Sequence, residues 1–212
     1  MYVKQILSVF ALIMINALSF FAQKSKPFRE EFTENKNNWA ILDNENYHTE
    51  IKNGKYHIHY KKKEKIETNP FVVYNKINVS HPFSVELRIK QLEVINAEMP
   101  NTYGIIIGEK DRGNAHYYTV SQSQKMSTWY YYQQHKYHLI QRLPLTFDNF
   151  SKEEAEGTKI FIKYQDGYLY FYVNNEFMAR IAKPSYWFGN GIGIYVSSGM
   201  KMAIDYIEIK SL

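Results

Sequence analysis

The sequence of 212 residues contains no cysteine. Without thiols the chain has no disulfide bond, no thiolate nucleophile and no N-terminal cysteine to which a lipid could be attached. A chain of this length is long enough to bury a hydrophobic core of its own, so it needs no disulfide to fold, even after export. The lack of cysteine therefore excludes these chemistries and is compatible with an exported protein.

The sequence also lacks a strong charge of either sign. Lys and Arg number 26 and Asp and Glu number 21, which gives a formal net charge of +5. A nucleic-acid-binding protein concentrates basic residues on one element, whereas the densest basic run here, Lys61–Lys65, is interrupted by Glu64. We therefore interpret this run as a solvated strand end or loop and predict no nucleic-acid partner. The modest positive charge permits a mild preference for acidic partners.

Long apolar runs are also missing, except near the N-terminus. There, Lys4 precedes a mainly apolar segment, Ile6–Phe21, which three polar residues interrupt and the small residue Ala22 follows. A membrane anchor is the alternative interpretation, but a span needs about 20 apolar residues. We predict a cleaved signal peptide over residues 1–22 and an exported domain over 27–212, periplasmic or extracellular, with no stable membrane insertion after cleavage.

Aromatic residues, in contrast, are abundant, and 19 of them are tyrosines. Tyrosine and phenylalanine favour strands. In the segment Lys55–Lys61 apolar residues alternate with Lys and His, which is the pattern of a half-buried strand, and Asn53-Gly54 before it predicts a hairpin turn. One helical turn is predicted at Lys152–Glu156. Strands are predicted at Phe28–Phe32, His48–Lys52, Lys55–Lys61, Phe71–Val79, Phe83–Glu93, Tyr103–Gly108, His116–Ser121, Thr128–Gln133, Tyr137–Arg142, Lys159–Tyr164, Tyr168–Val173, Glu176–Ala182, Gly191–Ser197 and Met202–Lys210. Many short strands at regular spacing predict one all-β sandwich or barrel domain.

Several of these segments resemble a known superfamily. They are the pattern F-x-x-N-x-x-x-W over Phe32–Trp39, the hairpins Ile51–Tyr56 and Asp166–Asn175, and the segments Gly191–Tyr195 and Ile204–Ile209. Together they resemble secreted bacterial, laminin-G-like members of the concanavalin A-like lectin/glucanase superfamily. The resemblance implies a two-sheet antiparallel jelly-roll β-sandwich with ligands on its concave face or on the loops at the rim. Because this fold serves lectins, hydrolases and interaction modules, the resemblance does not assign a function.

Glucanases of the superfamily carry the pattern Glu-x-Asp-x-(x)-Glu on one strand, since retaining glycoside hydrolysis needs two carboxyl groups about 5–5.5 Å apart. The nearest match is Glu109-Lys-Asp111-Arg-Gly113-Asn114, in which Gly113 and Asn114 replace the third carboxylate. An amide neither donates nor accepts the catalytic proton. We therefore predict no catalytic residue and interpret the segment as a polar turn. Asp111 and Asn114 are kept as candidate ligand contacts because they belong to a loop after a strand.

The sequence predicts no cofactor. His57 and His59 share one strand face, as a pair of metal ligands could, but no third ligand is indicated. Asp43–Asn46 is rich in oxygen ligands and leaves calcium as an alternative, although it lacks the spacing of a calcium-binding loop.

The segment Ser127–His138 and the strand before it carry most of the candidate binding residues. A pyranose presents an apolar C–H face and a rim of hydroxyls, so sugars bind to aromatic rings that are flanked by polar groups. On a strand, Trp129 and Tyr131 point to one side and Tyr130 and Tyr132 to the other, so one of the two pairs belongs to the core. The candidate ligand-binding aromatic residues are Tyr117, Tyr118, Trp129, Tyr130, Tyr131 and Tyr132.

Three hypotheses follow for the function. The first is a non-catalytic module that binds a glycan on the concave sheet face. The second is a structural or interaction domain that binds a protein of the cell envelope. The third is a glycoside hydrolase with a non-standard site. Against the first stands the ordinary role of tyrosine as a half-buried strand residue that needs no ligand.

Overall fold

The computed structural model describes residues 27–61, 72–73, 76, 78–95, 101–111, 113–134, 136–145, 156–185 and 187–212. Within these ranges the chain forms fourteen strands and no helix, and hence no helix that could cross a membrane. The strands are β1 (Phe28–Glu30), β2 (Tyr47–Lys52), β3 (Lys55–Tyr60), β4 (Val72–Val73), β5 (Phe83–Val94), β6 (Tyr103–Asp111), β7 (Asn114–Ser121), β8 (Met126–Gln133), β9 (Lys136–Pro144), β10 (Thr158–Gln165), β11 (Tyr168–Val173), β12 (Glu176–Ala182), β13 (Gly191–Val196) and β14 (Met200–Ser211).

The strands form two antiparallel sheets. Sheet A has the order β12-β11-β10-β5-β14-β3-β2, and β1 also pairs with β14. Sheet B has the order β4-β13-β6-β7-β8-β9. The connections between the sheets alternate with local hairpins, which confirms the predicted jelly-roll β-sandwich.

The core lies between the two sheets and is built by alternation along each strand. In β5, Val85, Leu87 and Ile89 are fully buried, whereas the intervening Glu86 and Arg88 point outward and are half-buried. Because β5 lies between β10 and β14, its inward residues are covered on both sides within the sheet. The alternation predicted for Lys55–Lys61 is confirmed in β3, where Tyr56, Ile58 and Tyr60 are buried and the residues between them are half-buried.

The predicted hairpin turns are confirmed. Asn53 and Gly54 have φ angles of 55° and 68°, and Asp166 and Gly167 have 52° and 79°. Two successive positive φ angles define the tight turn that suits the twist of a hairpin, and Asn, Asp and Gly tolerate them best. The Asn174–Asn175 turn uses the same conformation, with φ angles of 51° and 68°, so asparagine replaces glycine there without loss of the hairpin.

The motif Phe32–Trp39 forms a loop after β1 that hydrogen bonds fold back onto Glu30. Buried Glu30 accepts hydrogen bonds from the Phe32 amide (2.9 Å), the Asn37 side chain (2.6 Å) and the Trp39 indole (3.2 Å). The side chain of Asn35 accepts from the amide of Trp39 and donates to its carbonyl. These bonds satisfy the polar groups of the loop and hold the Trp39 ring against the core, so the motif has a structural role.

Some predicted elements differ from the structure. The strand predicted over Phe28–Phe32 ends at Glu30, because Phe32 has a φ of 53°, which lies outside the extended range of a strand. Of the strand predicted over Phe71–Val79, only Val72–Val73 is a described strand, and Val79 lies in a turn. The predicted helical turn at Lys152–Glu156 and the signal peptide lie outside the described residues, apart from Glu156, which is in a turn.

Two phenylalanines of the hairpin β11–β12 should contribute unequally to the stability of the protein, because one is buried and the other is exposed. Phe171 is fully buried, whereas Phe177 is 57% exposed. We expect Phe171→Ala to lower the free energy of unfolding by about 3–5 kcal/mol and Phe177→Ala by less than about 1 kcal/mol. Urea unfolding of the two variants measures both values. Equal losses would contradict the assignment of the inward face.

Candidate functional site

Two of the candidate rings on β7 and β8 point inward. Tyr118 and Trp129 are each 1% exposed, and their ring centroids lie 4.5 and 5.3 Å from that of Phe171 in the opposite sheet. These two predicted ligand contacts are therefore part of the core, and a ligand on the surface does not reach them. Their rings fill the space around Phe171 between the two sheets, and a protein interior is closely packed.

The alternate rings point outward and meet on sheet B. We call Tyr117, Tyr130, Tyr132, Tyr137 and Tyr195 the tyrosine face. Tyr117 and Tyr130 stack with centroids 5.0 Å apart and 6° between their planes. Tyr137 lies 4.6 Å from Tyr130, and Tyr195 contacts Tyr117 edge-on at 5.4 Å. Three of the six predicted aromatic contacts are thus brought together, and the structure adds two rings from β9 and β13.

The tyrosine face is most exposed at its β9 end. Tyr117 is 8% exposed and Ile106 beside it is fully buried, whereas Tyr137 and Leu139 on the edge strand β9 are 45% and 47% exposed. Tyr130 lies between these extremes and is half-buried. A ligand would therefore contact the β8–β9 side of the face.

The chemistry of the tyrosine face is aromatic and neutral. Strands β7, β8 and β13 contain no Asp, Glu, Lys or Arg. Desolvation and the neighbouring Tyr195 and Tyr117 raise the pKa of Tyr130 well above its ordinary value, so its hydroxyl stays protonated. Arg142, on strand β9 opposite Thr128, places a guanidinium in register with the face. The face therefore offers rings, neutral hydroxyls and one cation at its margin.

Tyr131 belongs to a different environment, an aromatic cluster around His116 on the inner side of sheet B. The imidazole of His116 is 1% exposed; its centroid lies 5.4 Å from that of Trp129, 5.7 Å from Tyr131 and 5.0 Å from Trp187. Tyr131 also stacks on His138 at 4.5 Å. Burial lowers the pKa of His116 to about 4, so the ring is neutral at neutral pH. Our sequence-based predictions did not include this histidine, although it alternates with Tyr117 and thus shares the inward face of Tyr118.

Asp111 and Asn114 form the polar turn that the sequence predicts. One oxygen of Asp111 accepts from the Asn114 side chain (2.7 Å) and from the Gly113 amide (3.0 Å), and these bonds hold the pKa of the carboxyl below its ordinary value. Glu109, two residues earlier, is 1% exposed, whereas Asp111 is exposed. The two carboxylates therefore occupy different environments and do not present an open pair to a substrate.

The oxygen-rich segment Asp43–Asn46 is used for internal contacts. Asp43 accepts from Lys61 Nζ at 2.9 Å and lies 3.4 Å from His48, and Asn44 accepts from the amides of Asn46 and Tyr47. In the described ranges no three His, Asp or Glu side chains come together in an arrangement that could hold a metal ion, and this includes the strand of His57 and His59. Calcium binding stays a prediction without a site in these ranges.

The chain is similar to known proteins in structure but not in sequence. No protein-family model and no curated protein matches its sequence. Among solved structures, a protein of unknown function with a galectin-like fold from Bacillus subtilis has a TM-score of 0.59 and 12% identity, over 89% of this chain and 97% of that one. A Bacillus licheniformis beta-glucanase has a TM-score of 0.54 and 10% identity over 90% and 100% of the two chains.

A third similar structure is the carbohydrate binding module CBM66 from Bacillus subtilis, with a TM-score of 0.51 and 8% identity over 89% and 98% of the two chains. Identities this low show the fold and leave the function open. The chain has the concanavalin A-like jelly-roll fold that the resemblance in its sequence indicated.

The burial of His116 should make the free energy of unfolding depend on pH. The pKa of the ring is about 4 in the folded protein and 6.5 in the unfolded chain. Between these values the unfolded chain binds more protons, so the free energy of unfolding falls as the pH drops, by about 3 kcal/mol from this group. We expect His116→Phe to flatten this dependence between pH 6.5 and 4, as measured by urea unfolding at each pH. His81→Gln, at an exposed histidine, is the control; an unchanged slope in His116→Phe would contradict the assignment.

Proposed function

We propose that this protein is an exported, non-catalytic binding module that takes a carbohydrate on the accessible end of the tyrosine face. The observation that carries the proposal is the contact between Tyr130 and Tyr137 at the edge of a sheet face to which β7, β8 and β13 contribute no charged side chain. Tyr137 is 45% exposed, so part of its ring is available to a ligand.

Sugar chemistry suits this surface for a physical reason. One face of a pyranose is made of C–H groups and packs on an aromatic ring, while its hydroxyls need hydrogen-bond partners at the rim. Tyr130, Tyr132 and Tyr137 supply rings with hydroxyl ends, and Arg142 supplies a donor at the margin. Binding a glycan here desolvates no charge of β7, β8 or β13, which keeps the protein's share of the desolvation cost low.

The similar structures support the class of ligand but not its identity. A carbohydrate binding module and a beta-glucanase are both similar in fold to this chain, so the fold itself accommodates carbohydrate ligands in other proteins. We propose a carbohydrate ligand for this chain because of the tyrosine face, since a shared fold alone does not establish a function.

Three observations support a binding role rather than a catalytic one. Glycoside hydrolysis needs two carboxyl groups that face the substrate across about 5–10 Å. Strands β7, β8 and β13 supply none, Glu109 is buried, and Asp111 is engaged in a turn.

Protein binding is the alternative function, and the edge strand β9 favours it. Leu139 and Ile140 are 47% and 40% exposed on a strand at the end of sheet B. Apolar side chains on a sheet edge suit a partner that adds an extended segment. A protein of the cell envelope would then bind where we place the glycan.

We expect Tyr137→Ala to weaken binding of a glycan identified on an array of neutral oligosaccharides by about tenfold, because the most exposed ring of the face is lost. Isothermal titration with that glycan measures the change. Tyr168→Ala is the matched control, since Tyr168 is 38% exposed on the other sheet and should leave the affinity unaltered. Equal losses in both variants, or an array without any ligand, would count against the tyrosine face.

A non-catalytic module releases no sugar. We expect no increase in reducing ends when the protein is incubated with neutral polysaccharides, because the tyrosine face presents no pair of carboxyl groups. Asp111→Asn is the diagnostic variant: reducing ends produced by the unaltered protein and absent with Asp111→Asn would show a hydrolase with its site at this turn.

A further inference from the structure

A second group of rings lies on the opposite outer surface of the sandwich. Strands β10, β11 and β12, which end sheet A, point a set of aromatic and basic side chains away from the core. We call this set the aromatic–basic strip; its members are Phe161, Lys163, Tyr170, Tyr172, Phe177 and Arg180. None of these residues belongs to the tyrosine face, which is on sheet B.

The strip begins with three rings side by side. Tyr172 pairs in register with Phe161 on one side and with Phe177 on the other. The centroids of Tyr172 and Phe161 are 5.6 Å apart, and those of Tyr172 and Phe177 are also 5.6 Å apart. Phe177 is 57% exposed, the largest exposure of the three, and the other two rings are half-buried. One exposed ring beside two half-buried rings forms an apolar patch, and such patches on a sheet surface are candidate binding sites.

The next row of the strip is basic. Two residues along the strands, Tyr170 lies between Arg180 and Lys163, at about 7 Å from the row of rings. Neither cation makes an ion pair with any described residue; the guanidinium of Arg180 lies 4.5 Å from the ring centroid of Tyr168. The neighbour of Lys163 on β5 is Ser84, so no carboxylate continues the row.

Several other cations on the outer surface of sheet A are paired with acids. Lys159 lies 3.2 Å from Glu86, the residue opposite Phe161 on β5, and Lys201 lies 2.7 Å from Glu93. The two cations of the strip are left with positive charge beside exposed rings. Such a surface is complementary to a molecule that has both an anionic group and an apolar face.

We propose that the aromatic–basic strip binds an acidic polysaccharide, a chain of pyranoses that carry carboxylate or sulfate groups. The C–H faces of the sugars pack on Tyr172, Phe161 and Phe177, and an anionic group pairs with Lys163 and Arg180. The strip is a site separate from the tyrosine face and takes a different class of glycan. It therefore goes beyond the proposed function and does not depend on it.

A polymer fits the strip better than a membrane surface does. Binding to a lipid surface needs apolar side chains that insert among the acyl chains and a cluster of four or more cations. The strip offers one ring that is more than half exposed and two cations that pair with no acid among the described residues. A sugar chain, in contrast, needs only shallow ring contacts and a few charges.

The test uses polygalacturonate as the acidic polymer, and retardation of the full-length protein in a gel that contains it as the measure of binding. We expect retardation at low salt that decreases as salt is added, because ion pairs contribute to binding. The double variant Lys163→Gln/Arg180→Gln should bind at least tenfold more weakly, and Phe177→Ala should also be weaker. The control Lys52→Gln/Lys110→Gln removes the same charge from exposed positions elsewhere and should bind like the unaltered protein.

The outcomes separate this site from the tyrosine face and from a membrane. Tyr137→Ala should leave retardation by polygalacturonate unaltered, so that failure of either site is seen independently. An equal loss in the Lys52→Gln/Lys110→Gln control would show attraction by net charge only and overturn the proposal. Absence of retardation, or tighter binding to phosphatidylglycerol vesicles that is lost in Lys163→Gln/Arg180→Gln, would overturn it as well.

Discussion

The contact of Phe171 with Tyr118 and Trp129 is the interaction on which the rest of this structure depends. It joins the two sheets through the interior, since Phe171 lies on β11 of sheet A and its partners lie on β7 and β8 of sheet B. Because side chains alternate along a strand, fixing these rings inward sends Tyr117 and Tyr130 outward. A shift of either strand by one residue would exchange core and surface. The core thus creates the tyrosine face as its counterpart on the outside.

The two outer surfaces of the sandwich differ in chemistry although they are built from equally aromatic strands. On sheet B, β7, β8 and β13 carry no formal charge, so Tyr130 lies among neutral strands and Arg142 on β9 is a cation at the margin of the face. On sheet A, nearly every strand carries charged residues outward, and Lys163 and Arg180 lie beside rings and form no ion pair with the acids of the described ranges. An acidic carbohydrate carries anions that need cationic partners when they lose water, whereas a neutral carbohydrate has no such need. Each proposed site is therefore assigned the carbohydrate whose charge matches its surface: neutral for the tyrosine face and acidic for the aromatic–basic strip.

Much of the candidate site could be predicted from the sequence, but not which side of it faces the solvent. Alternation alone separates Trp129 and Tyr131 from Tyr130 and Tyr132, and the folded strand keeps this division. Which pair is buried depends on what the opposite sheet supplies, and Phe171 lies on a strand distant along the chain. The aromatic–basic strip could not be predicted for a related reason: Phe161 and Phe177 are neighbours only because β10 and β12 both pair with β11. Likewise, buried His116 shows its environment only once Trp187 and Trp129 are placed around it.

The sequence by itself determined the properties that act over a few residues. Asn53-Gly54 and Asp166-Gly167 specify their hairpins because their backbones tolerate positive φ angles, and the alternation of apolar and polar residues specifies strands and hence an all-β sandwich. Only the tertiary structure decided which side of each strand is covered, which rings from distant strands meet, and which cations lack a partner. The physical reason is that period-two alternation has the same form from either side of a strand. The choice between the sides is made by the packing of one sheet against the other, which involves residues far apart in the chain.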